Sequence, residues 1–222
     1  MNKITNNKIA CFIPIKKNSK RIKGKNFKKI KGKEIFKIGI DLIVDSNLFE
    51  DVYVDTDSEE IKSYALQQGA KVISRLPELT SDSTNGNHLL QHWIKLYPQY
   101  DYYYQYHVTS PLTNSTTISE CVKILIDKTE YDSILTVEEI YSWFWYDNCP
   151  INYDPKKLPR SQDATPVIKE TTALYGISKI AFKETNCRIG RNPYFYVVDQ
   201  KQAVDIDNPL DLVVVKALAS EK

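Results

Sequence analysis

The chain has 222 residues, 42% of them hydrophobic, with 30 Lys and Arg against 28 Asp and Glu and a formal net charge of +2. That length suits one domain with an ordinary apolar core, and so small a net charge argues against a general nucleic-acid binder. No stretch approaches the ~20 apolar residues of a membrane span. The start of the chain shows only the short apolar run 9–15 and no signal-peptide pattern. Cys11, Cys121, Cys149 and Cys187 are far apart without a CxxC, which points to reduced thiols and a cytoplasmic protein.

Taken in order, "KIACFIPI" (8–15) reads as a buried strand. Residues 16–33 then carry ten Lys or Arg and no acid, so the other 20 bases and 28 acids leave a balance of −8 elsewhere. Basicity this local suits one anionic site: a loop gripping polyphosphate through Lys16, Lys20, Arg21 and Lys25, with backbone N–H groups around Asn18 and Ser19. A merely solvated lysine run is the other reading, and it fits residues 28–33 better than 16–25. Neither GxxxxGK[ST] nor GxGxxG occurs.

"EIFKIGIDLIVDS" (34–46) has helical spacing, "DVYVDTD" (51–57) reads as a second strand, and "SEEIKSYALQQG" (58–69) as a helix stopped by Gly69. "AKVISR" (70–75) is a short third strand. His88 and His92 in "HLLQH" have the i, i+4 spacing of a zinc helix, but no Glu follows His88 and the metalloprotease motif is absent. "DYYYQYHV" (101–108) reads as a fourth strand with His107 near its carboxyl end, where open α/β sheets place ligands. Thr109 and Ser110 in the following "TSPL" read as a binding turn, since GxSxG is lacking. A helix over 116–126 and a fifth strand "YDSILTVEE" (131–139) follow. The alternation predicts an α/β fold with a mostly parallel central sheet covered on both faces.

Two segments break this rhythm. "YSWFWYDNCPINYD" (141–154) reads as a β-hairpin turning at Asp147-Asn148, and it holds Trp143 and Trp145, two of the three tryptophans. A projecting aromatic hairpin suits a dimer arm, and a lid on its own core is the alternative. "AVDIDNPLDLVVVKAL" (203–218) reads as a strand end and then a helix with Asn208 as cap and Pro209 at its first position. On a strand, Asp205 and Asp207 would face one way, roughly 7 Å apart. That suits Mg²⁺ bound to phosphate oxygens. The alternative is that Asp207 only assists the cap.

In order, "NSKRIKGKN", "DTDSEEI", "RLPELTSD", "TSPL", "RSQDATPVIKETTALY" and "VDIDNPLDL" resemble motifs of the acylneuraminate cytidylyltransferases, the CMP-sugar synthetases for sialic and other nonulosonic acids. The resemblance runs from about residue 9 to 218. It implies a three-layer nucleotidyltransferase fold in a single domain, 1–222, with residues 140–170 as a protruding hairpin dimerisation arm. It also implies CTP as donor, Mg²⁺, pyrophosphate as product, a homodimer and a role in surface polysaccharide biosynthesis. Lys16, Ser19, Lys20, Lys25 and Asn26 match the nucleotide loop, where Arg21, kept as a nucleotide-binding candidate for its charge, stands in place of the usual Gly; Ser81 and Asp82 match a segment near the base, and Asp205 and Asp207 the metal pair. Arg160 and Gln162 match an "RxQD" segment of the acidic-sugar site, to which His107, Thr109, Ser110, Thr171 and Tyr175 are added as acceptor-side residues. Lys16, Lys25 and Asp207 are the expected catalytic groups.

The departures fall mostly on the acceptor side: Lys16 stands where sialate enzymes usually have Arg, His107 where they have Gln, and Thr171-Thr172 where they have Asn-Gly. Ordinary N-acetylneuraminate is therefore expected to be a poor acceptor. Rival readings are a cytidylyltransferase for a phosphonate or phosphate acceptor, a DxD metal-dependent glycosyltransferase, and a nucleic-acid binder built on the lysine run.

Overall fold

A computed structural model describes residues 7–81 and 83–220. In chain order it contains β1 (Ile9–Ile15), β2 (Lys29–Ile30), β3 (Lys33–Glu34), α1 (Ile35–Asp45), β4 (Asp51–Thr56), α2 (Glu59–Gln67), β5 (Lys71–Ser74) and α3 (Gly86–Leu96). There follow β6 (Tyr102–Tyr106), α4 (Ser115–Asp127), β7 (Ser133–Ile140), β8 (Trp145–Tyr146), β9 (Cys149–Pro150), β10 (Val167–Ser178), α5 (Lys179–Thr185), β11 (Pro193–Val197) and α6 (Pro209–Ser220).

Seven strands form one sheet in the order β11-β7-β10-β6-β1-β4-β5. β1 lies in its interior, parallel to both β4 and β6. Its near-continuous apolar run has the pattern expected of a strand covered on both faces. Alternate side chains divide accordingly. Ile9, Cys11, Ile13 and Ile15 join the cluster built with α1, α2, α4 and α6. Ala10 and Phe12 join the opposite one, with Trp93 of α3 and Phe182 of α5. Phe12 stacks on Tyr53 at 5.0 Å and on Trp93 at 4.9 Å between centroids. The result is helices, sheet, helices: the predicted three-layer α/β architecture.

The sheet is parallel except for β10, which runs antiparallel to both β6 and β7. Gly176 lets β10 lie against β6, because a Cβ there would come 2.5 Å from the Tyr104 ring. The β7 register shifts between Glu170 and Tyr175, leaving a bulge. Thr172 lies within it at φ 62°.

One expectation needs correction. Residues 203–207 are not a strand, so Asp205 and Asp207 do not owe their placement to strand alternation. They lie on an extended segment tied down at Ile206, whose N–H donates to Thr109 O at 2.9 Å. The cap is as expected: Asn208 Oδ1 accepts from the N–H groups of Leu210 and Asp211. The hairpin also forms, with Asp147 and Asn148 both at positive φ between β8 and β9.

Candidate active site

The carboxyl ends of β1 and β6 open onto a cavity of about 520 Å³ lined by Lys16, Asn18, Ser19, Lys20, Arg21, Lys25, Asn26, Thr80, Ser81, His107 and Thr109. The first half of the basic run therefore does not lie on an outlying surface but curls over the strand ends. Three bonds hold the curl. Lys17 N–H donates to Asp57 Oδ1 at 2.6 Å, Asn26 Nδ2 to Lys16 O at 2.8 Å, and Lys16 Nζ to Ser81 O at 3.0 Å. Asn26 is buried, and its Oδ1 has no partner among the described residues. That leaves an acceptor available to a ligand N–H. Asp82 lies outside the described residues.

Asp205 and Asp207 line a second cavity of about 420 Å³, together with Glu138, Lys169, Glu170, Thr171, Thr172, Gln200, Ala203, Val204 and Asp211. Two cations of the first cavity reach this pair. Arg21 Nη2 lies 2.7 Å from Asp207 Oδ1, and Lys25 Nζ lies 3.6 Å from the same oxygen. Lys25 also donates to Ile206 O at 2.7 Å. Ile206 is thus gripped on one side by the basic loop and on the other by the "TSPL" turn. Ser110, fully buried beneath, donates to Asp205 Oδ1 at 3.4 Å. Burial and then the charge of Asp207 push the Asp205 carboxyl above its usual range, against the opposing effects of Thr109, Lys25 and Thr172.

His107 is half-buried, with Nε2 covered and without a partner among the described residues. Burial, and then the charges of Arg188, Lys25 and Arg75, lower its pKa to about 3, so it is a neutral imidazole at physiological pH. Its backbone N–H donates to Ala173 O at 2.9 Å, bracing β6 to the bulge of β10. Tyr175 stands edge-on to it at 6.4 Å and donates its OH to Glu170 at 2.6 Å.

Of the other acceptor-side residues, Thr171 lies at the second cavity and two stand apart. Thr171 is buried with its hydroxyl on Thr136, 3.1 Å from the carbonyl and 2.7 Å from Oγ1, so it locks the bulge onto β7. Arg160 and Gln162 line neither cavity. They lie in the loop after the hairpin, where Arg160 is exposed and pairs with Asp163 at 2.6 Å. His88 serves the start of α3: its Nδ1 accepts from Asn85 N–H at 3.4 Å while Asn85 Oδ1 caps the helix.

Sequence reasoning passed over four residues that shape the site. Arg75 and Asp55 form a fully buried pair at 2.9 Å beneath it, with Trp93 Nε1 on the other Asp55 oxygen at 2.7 Å. Asp57 anchors the basic loop. Arg188 lies over the Tyr175 ring, 3.5 Å from its centroid, and donates to Gln105 Oε1 at 3.3 Å. Asp55, Asp57 and Arg75 stand in the stretches "DTDSEEI" and "RLPELTSD", which held the available signal, whereas nothing local marks Arg188.

The family described as Cytidylyltransferase matches residues 10–201. N-acylneuraminate cytidylyltransferase A of Danio rerio is 32% identical over 176 residues, covering 76% of this chain and 40% of that protein. The N-acylneuraminate cytidylyltransferase of Escherichia coli is 24% identical, over 97% of this chain and 53% of its own. This chain thus spans about half, or less, of the length of those two relatives. The pseudaminic acid cytidylyltransferase of Campylobacter jejuni is 27% identical and is covered to 94%, as is this chain. Among solved structures, a CMP:2-keto-3-deoxy-manno-octonic acid synthetase complexed with CTP superposes with a TM-score of 0.70 at 16% identity, covering 95% of this chain and 98% of its own. At that identity the likeness speaks for the fold alone. With most of its length matched in the order of the motifs, the chain belongs to the cytidylyltransferase family.

Proposed function

We propose that this protein transfers CMP from CTP to an acidic sugar of the nonulosonate class and releases pyrophosphate. The observation that carries the reading is the junction of the two cavities: the cationic loop of the first reaches the carboxylate pair of the second through Arg21 and Lys25. A triphosphate in the first cavity would meet Lys16, Lys20, Arg21 and Lys25, and an acceptor in the second would approach from the far side of Asp205 and Asp207. The names of the acylneuraminate and pseudaminic acid relatives support CMP transfer to an acidic sugar.

Phosphoryl transfer asks chiefly for positioning and charge neutralisation, so no covalent nucleophile is required. Lys16 and Lys25 would offset charge on the phosphates, and the Asn26 acceptor would receive an N–H of the nucleotide. His107, held neutral on the wall of the first cavity, can bond a polar group there without adding charge. The donors at Asp205 and Asp207 are hard oxygens, and the raised Asp205 carboxyl is one that a divalent cation would return to its charged form, so the pair suits Mg²⁺. When bound, the ion supplies charge to the phosphate oxygens and acidity to a coordinated hydroxyl.

Arg160 stands apart from both cavities within one chain, on a segment with exposed Trp145, Tyr146 and Ile151. We assign that segment, residues 140–170, to a homodimer contact. Four free cysteines, two of them buried, suit a reducing compartment such as the cytoplasm.

The test is pyrophosphate release with each of four nucleoside triphosphates and Mg²⁺, against N-acetylneuraminate, pseudaminic acid, 2-keto-3-deoxy-manno-octonic acid and a small phosphonate. CTP-dependent release with an acidic sugar is expected, and N-acetylneuraminate is expected to be the poorer nonulosonate. Release with the phosphonate alone would move the acceptor class. Transfer from a nucleotide-sugar without pyrophosphate would favour a glycosyltransferase.

A further inference from the structure

Thr172 carries two penalties at once. Among the described residues it is the only β-branched one at positive φ, at 62° in the β10 bulge. A branched Cβ makes the left-handed region a strained conformation, which Gly or Asn adopts with less difficulty. Its Oγ1 is also covered and has no hydrogen-bond partner among the described residues. A covered hydroxyl that has given up water without gaining a bond is unfavourable.

The bulge imposes the left-handed angle, but it does not require a β-branched residue or a covered hydroxyl to adopt it. Thr171 already fastens the bulge to β7 through Thr136, and Ala173 O fastens it to β6 through the His107 N–H. What the conformation achieves is to put the Thr172 side chain on the wall of the second cavity, beside Asp205 and Asp207. Thr172 and the two carboxylates line the same cavity, and among the described residues no hydrogen bond satisfies its hydroxyl. An unpaired donor is therefore held next to the carboxylates, with its backbone strained to keep it there. Backbone strain gathers where function requires a geometry that folding alone would not choose.

We propose that Thr172 is a specificity-determining residue of the acceptor cavity, whose hydroxyl binds a polar substituent of the acidic sugar beside Asp205. This rests on the cytidylyltransferase reading above. A site built around such a bond discriminates against acceptors that leave the hydroxyl unpaired.

The experiment compares wild type, Thr172→Gly and Thr172→Ser in melting temperature and in steady-state pyrophosphate release with CTP and Mg²⁺. The acceptor is whichever of pseudaminic acid, N-acetylneuraminate and 2-keto-3-deoxy-manno-octonic acid the wild type uses best. Thr172→Gly should melt about 2–4 °C higher through relief of strain. It should also raise the acceptor KM at least ~10-fold while leaving the CTP KM within ~2-fold, the loss expected for one missing bond. Thr172→Ser restores the hydroxyl and should bring the acceptor KM back to within ~3-fold. A Gly variant with an unchanged acceptor KM, or with both KM values raised alike, overturns the assignment, as does a Ser variant that behaves like Gly. A wild type that releases no pyrophosphate with any of the three acids overturns the activity reading itself, and this inference falls with it. That failure is distinguishable, because it appears before any variant is made.

Discussion

Arg21 and Asp207 form a 2.7 Å ion pair that joins the loop after β1 to the segment before α6. Their side chains are 64% and 43% exposed, so the pair contributes little to stability, on the order of 0–1 kcal/mol. Its consequence is positional: it draws a cation of the first cavity and a carboxylate of the second to one point.

Asp207→Asn should therefore leave the fold intact while removing most turnover. An amide oxygen is a poorer Mg²⁺ ligand, and losing one such electrostatic contact typically costs about 3 kcal/mol, or ~100-fold in rate. Pyrophosphate release at saturating Mg²⁺, measured beside a thermal melt, checks this. A folded variant with near-normal turnover would remove Asp207 from the metal site.

His107 makes stability depend on pH in a stated direction. Its folded pKa is lowered to about 3 from the ordinary 6.5, so between those values the unfolded chain binds a proton that the native protein does not. Stability should fall as pH drops through that window, by up to about 1.4 kcal/mol per pH unit from this one group. Urea unfolding between pH 7 and 5 of wild type and His107→Gln measures the difference. Parallel curves for the two proteins would show that His107 is not held neutral.

Asp55→Ala should be severely destabilising, by about 3–5 kcal/mol, because it leaves a buried guanidinium uncompensated. Arg75 and Trp93 would both lose their carboxylate partner in a place that water does not reach. Asp55→Asn, which keeps an oxygen acceptor, should cost less. Chemical denaturation of the two variants orders them, and equal losses would argue that shape and not charge sets this pair.

The hairpin contact can be read by light scattering. The wild type is expected to be a dimer at micromolar concentration, and Trp143→Ser/Trp145→Ser to shift toward monomer, since exposed aromatics of this size favour a covering partner. Trp143 also donates to Pro159 O at 3.0 Å, so circular dichroism must show the variant folded. A monomeric wild type would make the segment a lid.

Apolar periodicity by itself determined β1, β4, β5, β6 and β7 and helices α1, α2 and α4, because each buries a face or both faces and the pattern records that burial. Ten cations without an acid between residues 16 and 33 pointed to an anionic site, and the first of them do line the cavity at the strand ends. Strand β10 escaped notice because its first half, Lys169-Glu170-Thr171-Thr172, is polar, and its pairing is supplied by β6 and β7 on either side. The spacing of Asp205 and Asp207 was visible, but what aims them is the grip on Ile206 by Thr109 and Lys25, residues distant in the chain. Arg188 and Thr172 are decided by tertiary structure alone. The first is set by its stacking on Tyr175 and its bond to Gln105, and the second by a backbone angle that the bulge imposes. No local preference encodes either, because both arise only when segments far apart in sequence are brought into contact.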